Sequence, residues 1–252
     1  LVIFMATSLS KKFSKIRELK HLIIPYLFIL VLYGALILKQ PDLGSVFTIS
    51  VVFFLLLFVA KARLKHLALL VLPGLIGFVV LVFLLGYEKD RMDSYFEALK
   101  DPLAGSYQLK QAVLAIGSGG LKGVGLAEGK QKFFFLPEPH TDFIFATIGE
   151  EMGFVGLLGI LILFFIIAWR GVVIAQQAVD PLGFFLAFGI TFSILVCALV
   201  NVGVVTGVLP TTGVPLPFLS YGGSSLLTSL VGVGILLNIS KKSHQKKIFF
   251  SQ

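Results

Sequence analysis

Six long apolar stretches, separated by polar or charged breaks, organise the chain. They lie near Leu22–Leu38, Leu43–Ala60, Leu67–Gly86, Phe143–Trp169, Leu182–Leu209 and Leu219–Ile239. At about 1.5 Å per residue each is long enough to cross about 30 Å of hydrocarbon, the longer ones with tilt. Leu1–Ser8 is also apolar and reads as the end of a helix that begins before the sequence does. The pattern predicts an all-α integral membrane protein, a polytopic helical bundle. It forms one partial membrane domain over residues 1–252, with six full spans, a stub at 1–8 and a large external loop at 87–141.

Composition agrees with that solvent. Apolar residues make up 57% of the chain and charged residues 13%, where a soluble domain carries about a quarter charged. The single cysteine, Cys197, excludes an intrachain disulfide and reads as a small buried hydrophobe. Charge then fixes orientation. Loops that alternate to one side hold thirteen basic residues against Glu18 and Asp180, while the other side holds eight basic against eleven acidic. Basic loops stay inside, so the C-terminus, with Lys241, Lys242, Lys246 and Lys247, is expected in the cytoplasm. The net charge of +8 is thus a topology signal and calls for no nucleic acid.

The segment Tyr87–Thr141 is polar and far longer than an ordinary connection. Within it Leu109, Val113 and Ile116 recur at helical spacing, with Gln108, Lys110 and Gln111 off the stripe. This predicts a short helix at Tyr107–Ile116 lying on the membrane surface. Gly117, Gly119, Gly120, Gly123, Gly125 and Gly129 follow as turn signals. Their spacing is not that of a phosphate-binding loop. Phe133–Phe135 suits the aromatic belt of a membrane interface.

Four stretches carry candidate chemistry. Lys39-Gln40-Pro41-Asp42-Leu43-Gly44 is by itself a Pro-Asp turn. Leu136-Pro137-Glu138-Pro139-His140-Thr141-Asp142 leads into an apolar helix that Thr141 or Asp142 can cap. Capping does not explain why Glu138, His140 and Asp142 converge at one membrane entry, which is the make-up of an acid–base site. Gly149-Glu150-Glu151-Met152-Gly153 places two carboxylates in an apolar helix, Glu150 about 12 Å along the axis from Asp142. A charge at that depth faces protein or a wet cavity. Gly149, Gly153, Gly156 and Gly159 read as a small-residue seam for helix packing. Finally, the run from Asn201 to Ser225 holds Pro210, Pro215 and Pro217, which forbid a continuous helix. This irregular loop is expected to dip toward a cavity shared with Asp142, and Asn201 to make an interhelical hydrogen bond. These features support an enzyme acting at the outer leaflet and, equally, a transporter with broken helices.

The motifs Lys39–Gly44, Gly117-Ser118-Gly119-Gly120-Leu121, Leu136–Ala146, Gly149–Gly153 and Leu216-Pro217-Phe218-Leu219-Ser220-Tyr221-Gly222-Gly223-Ser224-Ser225, in this order, resemble the SEDS family of bacterial shape, elongation, division and sporulation proteins. Gly123-Val124-Gly125-Leu126 and Lys130-Gln131-Lys132 are similar to its division branch, FtsW. The resemblance implies the C-terminal portion of a ten-helix fold, with the first helices missing. It implies a peptidoglycan glycosyltransferase that polymerises lipid II at the outer face of the bacterial cytoplasmic membrane. Its partners would be a class B penicillin-binding protein and other divisome membrane proteins. Asp142 falls on the family's catalytic aspartate and is assigned the role of general base. Glu138, His140, Lys39, Asp42, Lys122, Pro217 and Ser220 are assigned to substrate, and Glu150, Glu151 and Asn201 to the cavity. The leaving diphosphate needs positive charge, from Lys39, Lys122 or Lys130 or from a divalent cation; no residue is assigned to a metal and no other cofactor is called for. The alternatives are a lipid II flippase and a non-catalytic divisome scaffold.

Overall fold

The computed structural model describes residues 1–12, 19–40, 42–79, 86, 88–101, 105–130 and 140–250, with the backbone alone at 12, 19–25, 73 and 246–250. The described residues form α-helices and connections, without a strand. In chain order the helices are α1 (Val2–Lys12), α2 (Leu19–Leu38), α3 (Leu43–Val59), α4 (Leu64–Val79), α5 (Lys89–Lys100), α6 (Tyr107–Gly119), α7 (Ile144–Gln176), α8 (Pro181–Val205) and α9 (Gly223–Phe250).

Local chemistry sets where several of these begin and end. Asp42 caps α3, its Oδ1 accepting the Ser45 N–H at 2.9 Å. Ser106 caps α6, and Asp180 Oδ1 accepts the Gly183 N–H at 2.7 Å at the start of α8. Each side-chain oxygen satisfies a helical donor that has no partner within its helix. The helix α8 ends at Val205, short of the expected Leu209, because Gly207 turns left-handed (φ 77°). Similarly α9 starts at Gly223, after the turn through residues 217–221, and not at Leu219. The expected span to Gly86 is described as far as Val79.

The expected single span at Phe143–Trp169 needs a larger correction. The helix α7 runs to Gln176, but Gly153 takes φ 66° and ψ −164° inside it. Only glycine adopts that conformation readily. The helix is therefore two pieces, residues 144–152 and 154–176. The glycine seam holds only in part. Gly149 lies close against Ile116 and Gly119 of α6, while Gly153 is the break, Gly156 meets Met152 of its own helix, and no atom outside the helix backbone lies near Gly159.

The chain divides into two units. The first comprises residues 1–81, 167–196 and 228–252. Within it Tyr26 donates its hydroxyl to Ser8 Oγ at 2.8 Å, joining α2 to α1. Gly189 of α8 sits against Val2 and Leu56, and Gly171 against Thr191. Met5, Leu9, Phe53, Leu56, Leu57 and Phe185 are its fully buried large side chains. The second unit comprises residues 82–166 and 197–227. Its core is formed by Leu109, Ala112, Ala115, Phe143, Phe145, Val205 and Leu216. The α5 helix was not expected from the sequence. Tyr95 ties it to the loop after α8, donating its hydroxyl to the Val208 carbonyl at 2.8 Å. The buried face of α6 also differs from the predicted stripe: Gln111 is buried with Leu109, Ala112 and Ala115.

Hydropathy and exposure together identify a membrane protein. The most apolar 18-residue window of α7 has a mean hydropathy of 2.6, yet only 17% of it is buried inside the protein. Phe154, Val155, Leu163, Phe165 and Trp169 all point outward. Such a surface is stable against lipid and not against water. Among the described residues, α7, α8 and α9 are long and apolar enough to span the bilayer.

Candidate functional site

Asp142 lies in the turn of residues 140–143, immediately before α7. The backbone carbonyls of three successive residues in this turn are each fastened to another part of the second unit. The His140 carbonyl accepts the Tyr221 N–H at 2.8 Å. The Thr141 carbonyl accepts the Ser220 hydroxyl at 2.6 Å. The Asp142 carbonyl accepts from Asn201 Nδ2 at 2.8 Å. The same Asn201 nitrogen donates to the Val214 carbonyl at 2.9 Å, and Ser220 Oγ accepts the Leu216 N–H at 2.7 Å. Two polar side chains thus bind the turn to the proline-rich loop, Asn201 at Val214 and Ser220 at Leu216. That loop passes beside the carboxylate: a Cβ on Gly213 would stand 3.7 Å from Asp142 Oδ2. Buried backbone groups are matched in this way almost without exception.

Asn201 is 1% exposed. Because both contacts are to carbonyl oxygens, which only accept, its amide orientation is fixed by the bonds. Its Oδ1 then has no partner, and neither does the buried Thr212 Oγ1.

A second arrangement lies further along α7. At an unbroken helix, the N–H groups of Phe154 and Val155 would donate to the carbonyls of Glu150 and Glu151. Here Phe154 donates to Gly120 O at 2.9 Å and Val155 to Leu121 O at 3.3 Å. In exchange, Val124 donates to Glu150 O at 3.0 Å and Gly125 to Glu151 O at 3.2 Å. The glycine-rich segment after α6 is spliced into the break and meets all four groups. The approach leaves no room for a side chain on Gly123, where a Cβ would run into the Glu151 backbone. The Glu150 side chain is 3% exposed, and its Oε1 accepts the Lys130 N–H at 2.8 Å.

The remaining expected site residues are distributed as follows. Pro217 and Ser220 are buried in the loop, and the Ser220 hydroxyl is committed to backbone. His140, Lys122 and Lys130 are exposed, and Glu151 is half-buried. Lys39 and Asp42 belong to the first unit; Lys39 is exposed and Asp42 caps α3. Glu138, with Phe133–Phe135, lies outside the described residues. No group of three or more His, Cys, Asp or Glu that could hold a metal ion occurs among the described residues. Thr212, Gly213 and Tyr95 were missed from the sequence, where a threonine in a loop and a tyrosine among charges carry no distinguishing signal.

Comparison with known proteins gives concordant matches. A family profile for FtsW, RodA and SpoVE, described as cell cycle protein, matches residues 1–245. Stage V sporulation protein E of Bacillus subtilis (strain 168) is 46% identical over 243 residues, covering 96% of this chain and 66% of that protein. The probable peptidoglycan glycosyltransferase FtsW of Geobacter metallireducens is 46% identical over 242 residues, covering 96% and 64%. Among solved structures, a chain from a peptidoglycan synthase complex, described for the structural coordination of polymerization and crosslinking, superposes with a TM-score of 0.74. It is 26% identical and covers 96% of this chain and 68% of its own. The rod shape determining protein RodA of Thermus thermophilus gives 0.63 at 27% identity, covering 96% and 64%. The chain spans about two thirds of the length of the curated relatives it matches, 66% and 64% for these two.

Proposed function

The chain belongs to the FtsW/RodA/SpoVE family of cell cycle proteins, and from that premise we propose that it carries the catalytic part of a peptidoglycan glycosyltransferase. Lipid II is the substrate on both sides of the reaction. Asp142 is the general base. It takes the proton from the acceptor sugar hydroxyl as that oxygen bonds to the anomeric carbon of the donor. The bond from that carbon to the diphosphate breaks, and undecaprenyl diphosphate leaves with the electron pair. A base held within hydrogen-bond reach of such a proton is typically worth about 100- to 10,000-fold. Positive charge toward the leaving group comes from Lys122 or Lys130 or from a divalent cation. His140 and Glu138 contact the glycan, and Pro217 and Ser220 shape the loop around it.

The observation that supports this reading is the fastening of residues 140–142. Three carbonyl anchors and the loop at Gly213 hold one carboxylate-bearing turn in place, as preorganised catalysis requires. The site works at the outer face of a bacterial cytoplasmic membrane, with the C-terminus in the cytoplasm. Its partner is a class B penicillin-binding protein, within a set of division proteins. The break in α7 favours a second reading, a lipid II flippase, since broken helices serve transporters.

A polymerisation assay decides between them. The full-length protein with its penicillin-binding partner is given labelled lipid II, and the products are resolved by size. A glycan ladder that disappears with Asp142→Ala supports the proposal. A ladder that survives the substitution removes Asp142 from the chemistry. No ladder from folded wild type shifts the reading to the flippase, tested next as lipid II movement across vesicles.

A further inference from the structure

Glu150 is a buried carboxylate that the proposed chemistry leaves unused. It is 3% exposed inside an apolar helix, and ionisable residues of this kind in a membrane helix generally serve function. Its surroundings specify what it does. The piece of α7 at residues 144–152 continues into the rest of the helix only through Gly153, and the hydrogen bonds that would carry the helix across are given to residues 120–125. The direction of this half-helix therefore depends on the spliced segment, together with its packing on α6 at Gly119 and Ile116. At the far end of that segment the Lys130 N–H donates to Glu150 Oε1 at 2.8 Å, with Gly129 packed on the carboxylate.

We propose that Glu150 is a positioning residue of the Asp142 site: by accepting the Lys130 N–H it locks the glycine-rich segment into the break of α7, and so fixes the direction in which the half-helix presents Asp142. The inference rests on the polymerase reading of Asp142. Asn201 holds the outer end of the half-helix and Glu150 its inner end. From Gly153 to Asp142 the lever is about 15 Å, so a swing of a few degrees displaces the carboxylate by about 1 Å. A displacement of that size costs on the order of 100-fold in rate. The Lys130 N–H requires an acceptor and not a charge, so an uncharged acceptor holds this bond as well.

The test compares wild type, Glu150→Ala and Glu150→Gln as full-length complexes, in steady-state polymerisation of lipid II and in amide hydrogen exchange. Glu150→Ala is expected to lower kcat by about 10- to 100-fold with KM little changed, and to quicken exchange at Lys130, Val124, Gly125 and residues 144–147. Glu150→Gln, whose amide oxygen accepts the same N–H, is expected to restore most of both. Equal loss in the two variants, or a loss confined to KM, overturns the proposal. So does a fully active Glu150→Ala. If wild type makes no glycan, the polymerase reading has failed by itself. The exchange data then decide on the clamp, and unchanged protection at residues 144–147 in Glu150→Ala overturns it.

Discussion

Asn201 and Asp142 are joined by a hydrogen bond from a buried amide to a backbone carbonyl, 2.8 Å long, although 59 residues separate them. The same Nδ2 holds Val214, so a single nitrogen pins the turn before α7 to the proline-rich loop. Asn201→Leu keeps the bulk and removes the donor, leaving two carbonyls unmatched. The expected cost is about 2 kcal/mol or more, visible as a lower unfolding temperature in detergent. An Asn201→Leu protein that melts with wild type would show that neither bond matters.

The break in α7 makes a prediction in which two glycines of one helix behave oppositely. Gly153→Ala puts a side chain at a positive φ and against the backbone of Leu121 and Gly123, at a cost of about 1–3 kcal/mol for the conformation alone. Gly159 is helical, with no atom near its Cβ direction. There Ala is expected to be neutral or to stabilise by up to about 1 kcal/mol. Melting curves of the two variants, side by side, separate a helix break from a packing seam. Equal effects at both positions would favour the seam.

The contrast between these glycines shows what the sequence could and could not disclose. The apolar helices were legible because a run of about 20 apolar residues has few other fates: a helix lies in each of the six expected stretches, and among the described residues three of these helices are long and apolar enough to span a bilayer. The irregular loop after α8 was legible because Pro210, Pro215 and Pro217 cannot donate to a helix, and that loop does pass beside Asp142. The break was not legible. Glycines at spacings of three and four read the same whether they pack a neighbour or interrupt the backbone. The partners of Glu150 and Glu151 are main-chain groups some 26 residues away, which side-chain periodicity does not record. The α5 helix was hidden for a different reason. Met92, Tyr95, Phe96 and Leu99 give it apolar positions, but Lys, Asp, Glu and Arg between them resemble an ordinary loop. At α8, Val208 and Leu209 extend the apolar run past the point where Gly207 ends the helix.

The orientation expected from the charge asymmetry can be read by labelling. In a Cys197→Ser background, Tyr221→Cys replaces an 84% exposed side chain on the proline-rich loop, and Gln245→Cys an exposed one near the end of α9. An impermeant maleimide added to intact cells, with the outer barrier opened, is expected to label the first and leave the second until the inner membrane is permeabilised. Labelling in the reverse order would place the Asp142 turn on the cytoplasmic side and remove an outer-leaflet polymerase from consideration.

Thr212 makes stability and activity separable. Its hydroxyl is buried without a partner, two residues before the carbonyl that Asn201 holds and beside the Gly213 that faces Asp142. Valine has nearly the same shape and no polar atom to desolvate. If the oxygen is simply unmatched, Thr212→Val raises stability by about 1 kcal/mol or more. Its place beside Gly213 and Asp142 puts it within the proposed site, where it would meet a sugar or a diphosphate. Thr212→Val is then expected to melt higher than wild type while polymerising lipid II more slowly. A variant that melts lower would show that the hydroxyl has a partner in the resting protein. One that melts higher with full activity would show that the hydroxyl has no catalytic use.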